Sequence, residues 1–301
     1  MHLHFVLLSI LTLTSPALWA QIKKQFAVED SKSAQLVKIN MKTNTGNCFI
    51  RPSQSHEVLS VYSNQDLETY AYSFNHELKG KTIEVTLNFE ENRSAGLSKS
   101  ISYRMLGSRP TEDMSETFWK MYLNDAKPYH LELSYGMGNA NIDLSGLAVK
   151  NLKIISGSAD VHVGYFSDLQ NKVQMDTMMV KVDLGSIVVK KLNLTRSKYV
   201  MAEVGFGNML LDFSDAPEMS KEIKGRVGAG NLTIILPTEE TPVKVHITES
   251  WLCKVNMLQS YKKIGTNTYV NAAYKKDAPN LVSFDLDVSM GNIIFKEKNN
   301  N

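Results

Sequence analysis

The sequence contains little of what metal centres, membrane spans and nucleic-acid interfaces require. It has only two cysteines, Cys48 and Cys253, and neither lies in a CxxC or Cys/His pattern, so a zinc-type site is not expected. After the first 20 residues, no apolar run approaches the ~20 residues that span a bilayer. Its 33 Lys+Arg nearly balance its 31 Asp+Glu, which gives no support for a nucleic-acid partner.

Motifs that carry known chemistry are also missing. No HExxH, GxSxG or P-loop occurs, and the Gly-x-Gly pairs beginning at Gly136 and Gly205 precede apolar strand patterns rather than a helix. Two aspartates, Asp143 and Asp212, share an offset from the repeated motif described below, but they lie three repeats apart. That separation, about 14 Å, is too large for paired catalytic carboxylates. We therefore expect no catalytic residue, no cofactor and no metal ion.

Residues 1–20 have the pattern of a secretory signal peptide. An apolar run from Phe5 to Leu13 is followed by Pro16 and by small residues at Ala17 and Ala20. A buried N-terminal strand is the alternative. Export to the periplasm, the outer surface or the medium is predicted, and the sequence does not separate these compartments.

An oxidising compartment would permit a disulfide between Cys48 and Cys253. Two isolated buried thiols are the alternative interpretation, because separation in sequence does not report distance in space. The pairing of the two cysteines is left open at this point.

Short alternating apolar and polar runs fill most of the chain. Val243–Ile247 and Phe284–Val288 alternate with a period of two residues and are rich in β-branched or aromatic side chains. Turn residues separate such runs at short intervals. This pattern predicts an all-β protein.

A four-residue motif recurs before an apolar-x-apolar sequence. Its copies are Gly136–Asn139, Gly157–Asp160, Asp183–Ser186, Gly205–Asn208, Gly228–Asn231 and Ser289–Asn292, with a weaker copy at Gly46–Asn47. In the central copies the period is about 22 residues, the size of one solenoid coil. Longer gaps precede the first strong copy and the last copy, so we expect a regular central stack with irregular coils outside it.

Glycine and asparagine suit the corners of such coils. Glycine adopts positive φ freely, asparagine tolerates it, and stacked Asn side chains can hydrogen-bond between neighbouring coils. Ordinary hairpin turns in a β-sandwich are the alternative. The predicted structural corner residues are Gly138, Asn139, Gly207, Asn208, Gly230, Asn231, Gly291 and Asn292.

One stretch departs from the strand pattern. Over Thr111–Leu123, apolar side chains at Met114, Phe118, Met121 and Tyr122 have helical spacing and predict a short amphipathic helix that caps the stack. The preceding segment, 90–107, is predicted to be a long loop. The predicted organisation is a signal peptide at 1–20 and a single β-solenoid-like domain at 21–301, with N-terminal strands at 36–90, a loop and helix at 91–128, regular repeats at 129–247 and closing strands at 248–301.

Large side chains recur between the small residues of the corner motif. By this alignment Tyr135, Phe206 and Met290 share one position, with Met137 one position further along. If that position faces outward, the row forms a binding surface, because exposed aromatic and Met side chains mark interaction sites. Packing in the interior is the alternative.

These residues resemble the bacterial toastrack group, which includes adhesin-like domains and the extracytoplasmic part of LiaF-like envelope-stress proteins. The resemblance rests on residues 131–147, 227–247 and 288–295, where Pro237 follows an apolar run. It implies a single-stranded β-solenoid-like stack in the cell envelope and offers no catalytic motif. Unlike LiaF-like proteins, this chain has no transmembrane helix in its sequence pattern.

The function expected from the sequence is therefore a non-enzymatic, exported module of the cell envelope or medium. It would serve adhesion or bind a partner, either a protein or a surface polymer. An envelope-stress sensing component that acts through protein contacts is one alternative. A polysaccharide-active enzyme on a β-helix is the less favoured one.

The export prediction is tested at the amino terminus. N-terminal sequencing of the protein from an envelope or secreted fraction should begin near Gln21, because cleavage is expected after the small residue Ala20. Recovery of the intact Met1 terminus from the cytoplasm would contradict the prediction.

Overall fold

The fold is a stack of β-strands in two large sheets. The computed structural model describes residues 23–64, 71–90 and 118–298. The predicted signal peptide lies outside the described residues, as does the predicted loop over 90–107 except for Glu90, which ends a strand. The sheets have 11 and 12 strands, and the inward side chains of both form one apolar core. Within the described residues, the one helical element is a short 3-10 helix at Leu192–Thr195.

The first sheet, called sheet A, has the spatial order β1 (Lys23–Glu29), β4 (Glu57–Ser63), β7 (Phe118–Leu123), β3 (Asn47–Pro52), β9 (Asn139–Asp143), β11 (Asp160–Gly164), β13 (Ser186–Lys190), β15 (Asn208–Asp212), β17 (Asn231–Ile235), β23 (Asn292–Lys296) and β19 (Lys254–Asn256). The second, sheet B, has the order β20 (Lys262–Gly265), β21 (Thr268–Val270), β18 (Val243–Glu249), β22 (Val282–Val288), β16 (Lys221–Val227), β14 (Ser197–Val204), β12 (Met175–Val182), β10 (Val149–Ser156), β8 (Tyr129–Tyr135), β2 (Leu36–Thr43), β6 (Thr82–Glu90) and β5 (Ala71–Lys79).

Each coil contributes one strand to sheet B, turns a corner and contributes the next strand to sheet A. In one coil, β14 leads through Gly205, Phe206 and Gly207 into Asn208 at the start of β15. Neighbouring coils pair in parallel and in register, so that Asn208 lies beside Asn231 of the next coil. The predicted all-β, solenoid-like stack is confirmed.

The long gaps in the repeat do not interrupt the stack. Asn47 of β3 pairs with Asn139 of β9, and Asn231 of β17 pairs with Asn292 of β23. The last coil of the chain, β22–β23, therefore inserts beside β16–β17, and the earlier coil β18–β19 lies outside it. Both gaps are excursions that build the ends of the stack, and the regular coils lie between them.

Antiparallel strands close both ends. At one end β1 pairs with β4, β4 with β7, and β5 with β6. The aromatic rings of Phe26 and Phe74, from opposite sheets, stack across this end with centroids 4.6 Å apart. At the other end the hairpin β20–β21 pairs with β18.

The structure describes part of the segment predicted as an amphipathic helix, Thr111–Leu123, and that part is a strand, so the prediction was wrong there. Residues 118–123 form β7, with Trp119, Met121 and Leu123 buried and the residues between them half-exposed. The short window fits periods of two and of 3.6 residues almost equally well, and pairing with β3 and β4 favours the strand. Residues 111–117 lie outside the described residues.

The Cys48–Cys253 disulfide, which the sequence left open, is not present. Both cysteines are free thiols. Cys48 lies in β3 and Cys253 immediately precedes β19, so the two positions are seven strand spacings apart in sheet A, about 34 Å. A disulfide needs Cα atoms within about 7 Å. Burial raises the pKa of the Cys48 thiol to about 12, which makes it unreactive.

The corner glycines are required mainly for space. Gly138 has a φ of 102°, as predicted, but Gly207 and Gly230 do not adopt positive φ. A Cβ at Gly207 would instead overlap the carbonyl oxygen of Gly185 in the preceding coil, and a Cβ at Gly230 would overlap that of Gly207. The predicted reason for these two glycines was therefore wrong, although both lie at corners.

One buried lysine interrupts the apolar interior. Lys221, at the start of β16, is 1% exposed, and its ammonium group donates hydrogen bonds to the Thr195 hydroxyl and the Ser197 carbonyl. Among the described residues, no carboxylate forms a salt bridge with it. Burial lowers the pKa of Lys221 to about 8.

Adding a methyl group to a crowded corner should destabilise the stack. We expect Gly207→Ala to lower the free energy of unfolding by about 1–3 kcal/mol, because its Cβ would overlap backbone atoms that the neighbouring coil holds in place. Chemical denaturation measures the change. Gly265→Ala is the matched control, since a Cβ there meets nothing within 4 Å. Equal stability of the two variants would contradict this account of the corners.

Lys221 should make stability depend on pH. Its pKa is about 8 in the folded chain and about 10.4 in an unfolded one, so the unfolded chain binds more protons between these values. The free energy of unfolding of the parent, relative to that of Lys221→Met, should therefore rise by about 3 kcal/mol from pH 7.5 to 10.5. Because the buried tyrosines titrate in both proteins, comparison with the variant cancels their contribution to the pH dependence of stability. Parallel pH profiles would show that the ammonium group is not desolvated.

Candidate partner-binding surface

Large apolar side chains project from successive corners of the stack. Corners of the repeated motif have four residues, and the second of them points outward while the third, usually glycine, faces the preceding coil. The corner Ser250–Lys254 has five residues, and both Trp251 and Leu252 are exposed there. We name the outward row the corner ridge. Its members and their exposed fractions are Leu184 64%, Phe206 71%, Met290 57%, Trp251 90% and Leu252 50%.

The ridge follows the stacking order of the coils. Backbone N–H groups at Leu184, Phe206 and Met290 each donate to the first corner residue of the preceding coil. Ala229 occupies the coil between Phe206 and Met290, so no charged side chain interrupts the row. Five coils from Leu184 to Leu252 extend over about 19 Å.

Of the three predicted binding residues, two are exposed on the ridge and one is buried in the core. Phe206 and Met290 lie on the ridge, but Tyr135 does not: it is the last residue of β8, 3% exposed, and it points into the core. Strand alternation decides this, because Leu131 and Leu133 on the same strand are also buried. Burial raises the pKa of the Tyr135 phenol well above its usual value. Met137, 56% exposed, holds the outward position of that coil.

Sequence reasoning missed three members of the ridge. Leu184 could have been found, since it lies between Asp183 and Gly185 in a recognised copy of the motif. Trp251 and Leu252 had no such signal, because their corner contains neither glycine nor asparagine. Only the pairing of Lys254 with Asn292 shows that their corner belongs to the same row.

Asparagines at the fourth corner position form a ladder beside the ridge. Asn292 donates from its side-chain nitrogen to the Asn231 oxygen at 2.7 Å, and Asn231 donates to Asn208 at 2.8 Å. Asn139 donates likewise to Asn47 at 3.0 Å. The interaction expected between stacked asparagines is therefore present, and it fixes the register of the coils next to the outward side chains.

The outer face of sheet A beside the ridge is uncharged along its central row. From β3 to β19 that row consists of Phe49, Asn141, His162, Val188, Leu210, Thr233, Ile294 and Asn256. The equivalent row of sheet B, from β2 to β18, consists of Asn40, Glu132, Lys153, Met179, Met201, Lys224, Asp285 and His246. The central row of sheet B is thus charged, as is typical of a solvated surface, and the central row of sheet A is not.

The aspartates considered for chemistry have structural partners. The Asp143 carboxylate accepts hydrogen bonds from the backbone N–H groups of Ser145 and Phe166, and Asp212 accepts one from Ser214. In residues 23–64, 71–90 and 118–298 no three His, Cys, Asp or Glu side chains are grouped as metal ligands. No helix in these same segments is long and apolar enough to cross a membrane.

A second candidate surface, which we name the end groove, is concave and lies at the end of sheet A formed by β1, β4 and β7. Its volume is about 850 Å³, and β1, β4 and β7 form its floor. Tyr62 and Tyr122 line it, with ring centroids 5.6 Å apart and ring planes at 87°. Glu57 accepts hydrogen bonds from Lys24 and Ser60, and these bonds, first that from Lys24, hold the pKa of the carboxyl below its usual value.

Comparison with known families gives one match. Residues 20–186, more than half of the chain, match the family described as the N-terminal domain of toast_rack. The matched segment includes the coils from β2–β3 to β10–β11 and the strands that close the end of the stack near the end groove. No curated protein matches the sequence.

Three solved structures each align with 92% of this chain. A proposed cell adhesion protein from Clostridium sporogenes is 16% identical, with 100% of its chain covered and a TM-score of 0.42. A proposed adhesin from Parabacteroides merdae is 13% identical, with 95% covered and a TM-score of 0.37. Another from Bacteroides fragilis is 10% identical, with 97% covered and a TM-score of 0.33. Likeness at this level does not indicate what the present chain binds.

Proposed function

Because the chain belongs to the toast_rack family, we propose that it is an exported, non-enzymatic, adhesin-like module that binds a protein partner through the corner ridge. The observation that carries this proposal is the row of exposed apolar side chains from Leu184 to Leu252, which the small apolar Ala229 continues between Phe206 and Met290. Isolated apolar side chains on a surface are ordinary, but a contiguous patch marks an interaction site.

The ridge has the composition of an interface core. Phe206, Trp251 and Met290 belong to residue types that are enriched at the centres of protein interfaces, where charged types are depleted. Hydrogen bonds between neighbouring coils hold the backbone of the ridge in place. Partner binding would therefore order only the side chains of the ridge and would cost little conformational entropy. A rigid row of this kind suits a partner that lies along the stack.

The neighbouring surface defines the chemistry of the partner. The Asn ladder offers amide groups, and Val188, Leu210 and Ile294 extend the apolar character over sheet A. A strongly charged polymer would find no counter-charge in this row, and its desolvation would not be compensated. We therefore propose an uncharged, largely apolar protein surface as the occupant.

Export is part of the proposal, and the apolar run from Phe5 to Leu13 with small residues at Ala17 and Ala20 supports it. The non-enzymatic role is supported by the hydrogen bonds that engage Asp143 and Asp212 in local turns. A module with these features would act by contact, in adhesion or in signalling across the envelope.

The partner can be identified with a crosslinker placed on the ridge. When Phe206 is replaced by benzoylphenylalanine in the producing cells, illumination should yield a specific crosslinked product, because this side chain would lie inside the interface. Adding Leu184→Ser on the neighbouring coil should reduce the product about tenfold or more. Mass spectrometry of the crosslinked peptide identifies the contact.

The matched control carries the same crosslinker at Tyr199, an aromatic residue 40% exposed on the outer face of sheet B. It should give no such product. Equal products from both positions, or a product at Phe206 that Leu184→Ser leaves unchanged, would contradict the ridge as the binding surface. A product that contains a polymer rather than a peptide would contradict the protein partner.

A further inference from the structure

We infer that the end groove is a binding site for a neutral oligosaccharide. This site is separate from the corner ridge and does not depend on the protein partner proposed above. Its volume of about 850 Å³ lies within the range of small-molecule sites, and its lining combines aromatic rings with many hydrogen-bonding groups.

The aromatic wall follows from strand alternation. Val61 and Met121 point into the core and are 0% and 1% exposed, so their neighbours Tyr62 and Tyr122 on the same strands must face outward. The rings pack edge to face, which fixes both orientations and leaves half-exposed aromatic surface in the groove. Aromatic faces of this kind can cover the C–H faces of sugar rings.

Around the rings the groove presents hydroxyl groups, the His56 imidazole, and lysines and carboxylates in equal number. Three lysines, Lys24, Lys32 and Lys120, and three carboxylates, Glu29, Asp30 and Glu57, line it together with Ser53, Ser55 and Ser60. Salt bridges join Lys24 to Glu57 and, at 3.1 Å, Asp30 to Lys127 outside the lining. Paired charges supply both donors and acceptors without a strong field of one sign.

This chemistry matches a neutral, polyhydroxylated ligand better than other classes. An anionic saccharide would meet Glu29, Asp30 and Glu57, and an extended cationic peptide would meet the three lysines. Sugar hydroxyls both donate and accept hydrogen bonds, so they can bind both members of the Lys24–Glu57 pair and the other lysines and carboxylates of the lining. Of these three ligand classes, only the neutral polyol can hydrogen-bond to lysines and carboxylates alike while its C–H faces cover the two tyrosine rings.

The site should bind the saccharide without cleaving it. Glu57 is held in its ionised form by Lys24 and Ser60, and this lowered pKa is opposite to the raised pKa that a general acid requires at neutral pH. The saccharide should therefore be recovered intact after prolonged incubation with the protein.

Calorimetric titration of the purified full chain with cellohexaose, maltohexaose and chitohexaose tests the inference. At least one of these neutral hexasaccharides should bind at millimolar or lower concentration, while oligogalacturonate of equal length should bind more weakly. Tyr62→Ala and Tyr122→Ala should each weaken binding about tenfold, because each removes half of the aromatic wall. Tyr62→Phe, which keeps the ring, should lose much less.

Tyr199→Ala on sheet B is the matched control and should bind as the parent does, and melting curves confirm that each variant is folded. If a tyrosine variant does not fold, Lys120→Gln, which lies beside Tyr62 in register, replaces it and should weaken binding several-fold by removing hydrogen-bond donors from the groove; unchanged binding by this variant would then overturn the inference. The inference is overturned if no neutral hexasaccharide binds, if oligogalacturonate alone binds, or if folded Tyr62→Ala and Tyr122→Ala bind as tightly as the parent.

Discussion

The close approach of backbones at successive corners is the constraint on which this structure depends. Where one coil turns from sheet B to sheet A, the carbonyl oxygen of the preceding coil occupies the space that a Cβ would need at Gly207, Gly230 and Gly291. Glycine at this position lets the strands on both sides stay in parallel register, and the Asn ladder adds a hydrogen bond between coils at the next residue. With the third corner residue turned toward its neighbour and the fourth held in the ladder, the second residue must point to solvent.

That geometry places a row of apolar side chains on the surface of the stack, where we propose that a partner binds. A residue at the outward position has no structural role, so glycine or a polar side chain would serve the fold equally well there. The presence of Leu184, Phe206, Met290 and Trp251 instead calls for a functional explanation, and contact with a protein partner supplies it. The end groove is built differently, from antiparallel strands that close the stack, and it offers hydroxyl groups and paired charges. A single rigid stack can thus present two surfaces of different chemistry.

Sequence reasoning correctly predicted the features that a repeated pattern encodes. It failed where the placement of a single residue or a single strand decided the structure. The recurring Gly-x-Gly-Asn motif predicted the stack and the Asn ladder, because each copy turns from one sheet to the other at the same place in its coil. It could not show that distant copies are spatial neighbours, since pairing of β17 with β23 is a tertiary choice. Tyr135 was misplaced because the alignment was off by two residues: in register it corresponds to Val204, the last inward residue of β14, whereas Met137 corresponds to Phe206 at the corner. The strand β7 was taken for a helix because six residues are too few to separate the two periods. No local motif marked the end groove, whose residues come from separate strands.

The in-register insertion of the last coil is the central claim, because it places Met290 in the ridge, and a designed disulfide tests it most directly. In a Cys253→Ser background, Ala229→Cys and Met290→Cys should form a disulfide under mild oxidation, although 61 residues separate their ladder neighbours Asn231 and Asn292. Adjacent coils put their Cα atoms about 4.8 Å apart, within the range that a disulfide spans. The pair Ala229→Cys and Leu252→Cys, two coils apart at about 10 Å, should stay reduced. Rapid crosslinking of the second pair and not the first would contradict the order of the coils and the ridge that follows from it.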